Sequence, residues 1–151
     1  MNNYQIAQIN IARMKGVNIN DPLMQEFVDN LDEVNALAEQ SEGFVWRLKG
    51  DNNNATSINP YEDEQILVNL SVWESIEALQ KFTYQTFHTD FLKRRKEWFQ
   101  NFGQVSLAMW WIPKGEFPTI EEAVEKLDYL QKNGASELVF DFKKRFLPPA
   151  E

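Results

Sequence analysis

Apolar and polar positions alternate with period two near the start of the chain. Between Tyr4 and Arg13, the residues Ala7, Ile9 and Ile11 share one side of an extended segment, and Tyr4, Ile6, Gln8 and Asn10 share the other. This predicts a first strand. The period then lengthens to that of a helix. Asp21 offers an N-cap with Pro22 at the first helical position, and Leu23, Phe27, Leu31, Val34 and Leu37 recur at steps of four and three up to a stop at Gly43. Phe44 to Lys49 predicts a short strand, 51–64 a polar, Asn-rich loop, and 65–73 a third strand. Ser75 caps a second helical region that begins at Ile76, bends near Thr83 to Thr86 and continues as a long aromatic helix to Gly103. Val105 to Ile112 predicts a fourth strand, closed by Pro113. Thr119 and Glu122 fit a capping box ahead of a third helix, striped by Ile120, Ala123, Val124, Leu127 and Leu130 and stopped by Gly134. Leu138, Phe140 and Phe142 alternate as a last edge strand before Pro148 and Pro149.

Strand, helix, strand, strand, helix, strand is the ferredoxin-like α+β order: an antiparallel sheet with two helices on one face, here with a C-terminal helix and edge strand added. The opposite face also needs cover. In the third strand Ile66, Val68, Leu70 and Val72 alternate with Leu67, Asn69, Ser71 and Trp73; in the fourth, Leu107, Met109 and Trp111 alternate with Ser106, Ala108 and Trp110. Neither set is polar throughout, so both faces are expected to be at least partly buried. A second copy of the sheet would supply the cover, which predicts a homodimer closed as an α/β barrel.

Within the long helix, Phe87, Phe91, Trp98, Phe99 and Phe102 fall on one arc at about 100° per residue, and His88 and Arg95 are the strongly polar residues inside it. Inward cations are costly without an acceptor or an anion, so this face is expected to cover a pocket. His88 and Arg95 are the candidate catalytic residues, the first as a base or orienting donor and the second as an anion clamp. Asn10, Asn69, Trp73, Trp110 and Phe91 are the candidate substrate contacts. The amides need partners, and the rings suit a flat guest. Trp110 and Trp111 point to opposite faces, so at most one of them lines a given cavity.

Composition narrows the partners. The 151 residues suit one domain with one sizeable core, and aromatics at 13% make that core aromatic. A formal charge of −8 without a basic stripe argues against nucleic acid and anionic membranes. No stretch approaches the roughly 20 apolar residues that span a bilayer, and the first residues do not read as a secretion signal, so a cytoplasmic protein is expected. The chain has no Cys and one His, which removes thiol chemistry and leaves no metal site in view.

The segments Gln8 to Arg13, Asn35 to Glu39, Gly43 to Arg47, the entry at Trp73, His88 ahead of Arg94 to Phe99, and Trp110 to Gly115 resemble the family of unknown function numbered 3291. The resemblance covers nearly the whole chain. It implies a branch of the dimeric α/β-barrel superfamily, alongside antibiotic-biosynthesis and haem-degrading monooxygenases. By that resemblance Asn10 matches the strand-one Asn of the haem-degrading enzymes, while Phe82 and Leu92 fall where their Trp and haem-ligating His stand. His88 lies about one turn early, so no cofactor is expected. The leading expectation is a small pocket for an apolar or aromatic molecule bearing oxygen, with cofactor-independent, monooxygenase-like chemistry. The alternatives are a non-catalytic binding or assembly module and, less favoured, haem binding.

Overall fold

The computed structural model describes residues 3–49, 60–61, 63–87, 93–101 and 103–149, with Phe87 described in its backbone only. Its strands are β1 (Tyr4–Arg13), β2 (Phe44–Arg47), β3 (Ile66–Trp73) and β4 (Leu107–Pro113); its helices are α1 (Gln25–Glu39), α2 (Ile76–Phe87) and α3 (Ile120–Asn133). All strand pairs are antiparallel, in the order β2-β3-β1-β4 that the ferredoxin-like connection requires.

Local chemistry accounts for the boundaries. Asp21 accepts a hydrogen bond from the Leu23 amide and opens a 3-10 turn at Pro22–Met24 that leads into α1. Ser75 Oγ accepts from the Ala78 amide at 3.1 Å, and Thr119 Oγ1 from the Glu122 amide at 3.1 Å, which caps α2 and α3. After α1, Gly43 adopts φ +85°, and a Cβ there would lie 2.4 Å from Ala78 Cβ. Only glycine lets α2 sit this close to the start of β2.

Two expectations are corrected. The aromatic helix does not run to Gly103: Arg95–Glu97 is a single 3-10 turn, after which Trp98, Phe99 and Gln100 lie beside the continuation of β1. The Lys15 amide donates to Trp98 O at 2.7 Å and the Gln100 amide to Arg13 O at 2.8 Å, so sheet-type pairing takes these backbone groups from the helix. The last strand shrinks to bridges. Phe140 exchanges both backbone hydrogen bonds with Met109, at 2.8 and 2.9 Å, and buries its ring, while Leu138 is exposed.

The sheet has a core on each face. On one side Ala7, Ile9, Leu70, Val72, Ala108 and Trp110 pack against Ala123, Leu127 and Leu130 of α3. On the other, α1 and α2 cover two separate clusters. One gathers Ile6, Trp73, Met109 and Phe140 with Ala38, Ile76 and Leu79; the second gathers Met14, Met24, Phe27 and Trp98. On the far face, expected to be covered by a partner's sheet, α3 packs over β1 and β4. No helix among the described residues is long and apolar enough to cross a membrane.

Candidate functional site

Between the two helix-side clusters the sheet turns polar. Register places Arg47, Ser71, Gln8 and Met109 side by side in one row, and Asn69, Asn10 and Leu107 in the next. The flanking row, Phe44, Trp73, Ile6 and Trp111, is apolar and belongs to the first cluster. Within β1, β3 and β4, strand alternation brings these side chains to one face because each is an even step from its neighbour.

The polar side chains form one network. Gln8 Nε2 donates to Asn69 Oδ1 and to Ser71 Oγ, both at 2.7 Å. Asn10 Nδ2 donates to Gln8 Oε1 at 3.0 Å and approaches Asn69 Oδ1 at 3.4 Å. Trp73 Nε1 donates to Ser71 Oγ at 2.9 Å, which ties the band to the aromatic core. Burial grades along it: Gln8 and Ser71 are buried, Asn10 is half-buried and Asn69 is exposed. Asn10 Oδ1 and Asn69 Nδ2 bond to no described residue, so the open end of the network offers one acceptor and one donor.

Sequence-expected residues divide accordingly. Asn10 and Asn69 meet in this band. Trp73 joins it through its N–H, but its ring is buried, stacked on Phe82 at 5.0 Å and met edge-on by Phe44 at 5.4 Å, so it acts as a core anchor and presents no open face. Trp110 lies across the sheet, in register with Ala7 and packed on the α3 side, and cannot share a cavity with Asn10, Asn69 and Trp73. Trp111 takes the helix-side place and donates to Phe146 O at 2.9 Å. Arg95 is exposed, because at Arg95–Glu97 the backbone takes a 3-10 turn in place of the α-helical course that would have turned it inward. His88 and Phe91 lie outside the described residues.

Neighbouring Arg94 has a defined structural contact. It donates to both carboxylate oxygens of Glu26 on α1 and to both of Glu97, and its guanidinium lies 5.3 Å from the Trp98 ring centroid. Those hydrogen bonds hold the Glu26 and Glu97 carboxyls below the ordinary glutamate range.

Reading the residues alone missed Gln8, Ser71 and Arg47. The first two share the parity of Asn10 and Asn69, which was signal enough. Hollows border the described residues. One of about 610 Å³ is open and lined by Val17, Asp63, Glu64 and Gln65, away from the band. Another of about 400 Å³ runs along β2 and includes Glu39, Phe44 and Arg47 in its walls.

Residues 5–151 match the model for a domain of unknown function, DUF3291. No curated protein matches the chain. Among solved structures it is similar to SnoaB, a cofactor-independent oxygenase from Streptomyces nogalater, at 12% identity and a TM-score of 0.45, covering 76% of this chain and 98% of that one. It is also similar to PA3566 from Pseudomonas aeruginosa, at 11% identity and a TM-score of 0.43, covering 74% and 95%.

Proposed function

We propose that this chain, which belongs to the DUF3291 family, binds a small apolar or aromatic molecule bearing an oxygen function on the helix side of its sheet. The observation that supports this reading is the band of Gln8, Asn10, Asn69 and Ser71 set between two apolar clusters. Such a band orients an oxygen through the Asn69 donor and the Asn10 acceptor, while the flanking apolar side chains favour a hydrocarbon body. Turnover enters the proposal through His88, the chain's one imidazole. As a general base near neutral pH it takes the proton of a phenol, and the electron-rich phenolate then passes an electron to O₂ without metal or flavin.

A homodimer is part of the same proposal, in altered form. With α3 on the far sheet face, two copies meet over the α3 side, where Phe117, Tyr129 and Leu138 stand exposed. Sedimentation equilibrium is expected to return twice the 17.7 kDa chain mass, and Leu138→Glu to lower it.

Calorimetric titration with 2-naphthol, followed by oxygen uptake with a panel of phenols and quinols, tests the site. Asn69→Leu should weaken naphthol binding about tenfold, the worth of roughly one good hydrogen bond. His88→Ala should abolish uptake and leave binding in place. Binding without uptake in the unaltered protein would reduce the function to a non-catalytic binding module. A Soret band on haem titration, lost in His88→Ala, would favour haem instead.

A further inference from the structure

Strand β2 departs from simple alternation. A bulge between Phe44 and Trp46 puts Val45 and Trp46 both on the α3 side, so that Arg47 swings back to the helix side in register with Ser71. Its side chain is only 5% exposed and meets Glu39 Oε1 at 3.3 Å. Burying a guanidinium is costly without hydrogen-bonded or charged partners, and the ion pair with Glu39 is a long one. The Glu39 side chain is 39% exposed and lies 3.9 Å from Lys49 Nζ as well. It is also the last residue of α1, at the helix end where negative charge is least favourable. Its distance from Arg47 exceeds the roughly 2.7–2.9 Å of a tight charge-assisted pair. The groove of about 400 Å³ beside the pair is walled by Glu39, Phe44, Trp46, Arg47 and Lys49, among others.

Two cations, the Phe44 ring and one displaceable carboxylate thus line a single groove that adjoins the polar band through the Arg47–Ser71 pairing. From this we infer that Glu39 holds the seat of a ligand's acid group: Arg47, with Lys49 beside it, binds the carboxylate of a small aromatic acid whose ring lies along Phe44. The planar guanidinium suits a carboxylate, which it grips with two parallel N–H donors, and Lys49 adds a point charge at the mouth. The inference rests on the helix-side face being the binding surface and extends that reading by naming the ligand class, aromatic carboxylates ahead of neutral phenols.

The test compares 2-naphthoate with 2-naphthol, which differ by one charge at pH 7, by calorimetry on the full chain. Naphthoate is expected to bind at least tenfold tighter. Arg47→Leu should weaken naphthoate at least tenfold and leave naphthol within twofold, and Arg47→Lys, which keeps the charge but loses the fork, should fall between. Glu39→Gln is the discriminating variant. Removing the competing carboxylate should tighten naphthoate severalfold, whereas a purely structural ion pair would lower thermal stability and leave affinity unraised. Equal binding of the two probes, or naphthoate affinity unmoved by Glu39→Gln and Arg47→Lys, overturns the inference. If naphthol still binds in that case and Asn69→Leu still weakens it, the polar-band reading stands; if neither probe binds, both fall.

Discussion

Ser71 Oγ receives two buried donors, Gln8 Nε2 and Trp73 Nε1. Ser71→Ala strands both N–H groups away from water, so a loss of roughly 2–4 kcal/mol is expected in a urea titration. Asn69→Leu removes one acceptor of Gln8 Nε2 at the exposed end of the network, where water can take its place, and should cost less, about 1 kcal/mol, although it damages binding. The pair separates a residue that holds the band together from one that serves its guest. Parity along a strand made Asn10 and Asn69 visible in the sequence, because alternation fixes the face of a side chain once the strand is recognised. It failed at Arg47, where one extra residue in β2 reverses the parity and no local composition announces the bulge. Trp110 was misplaced for a related reason: its face follows from register with Ala7, and whether that face lies under α1 and α2 or under α3 depends on packing beyond the strand.

At the level of elements, the helical periodicity that reaches Trp98 and Phe99 is one the backbone does not follow there. A helical wheel tests only local consistency. Here the pairing of Trp98 to Gln100 with Arg13 to Lys15 wins over another two turns of helix. Arg94 secures that course through Glu26 and Glu97. Because both carboxyls are depressed in the fold, their contribution is present above the unfolded glutamate value of roughly 4.3 and is lost as the pH falls through the lower folded values. The urea midpoint should therefore drop on acidification below about pH 4, and Arg94→Ala should flatten that part of the profile. The contacts are exposed, so added salt should blunt the difference. Gly43 is a stricter case. Its φ of +85° and the 2.4 Å clearance to Ala78 mean that Gly43→Ala combines backbone strain with overpacking, for an expected loss of roughly 2–4 kcal/mol by urea titration.

For the whole molecule, the order of strands and helices was readable because each segment carries its own period and its own caps, and the ferredoxin-like connection follows from that order. What covers the second sheet face was not. An amphipathic third helix and a partner's sheet satisfy the same apolar demand, and only the path of the chain after Pro113 chooses between them. A chain lacking residues 116–151 would bare Ile9, Leu70, Val72 and Ala108, and is expected to self-associate or precipitate when followed by light scattering.

That arrangement also fixes a sequence in time. Translation proceeds from Tyr4 onward, so all four strands are complete at Pro113 while the cover for their far side is still unmade. The far side of the sheet therefore stays bare until the segment beyond Pro113 has folded back over it, and a nascent-chain chaperone has most to do before that step.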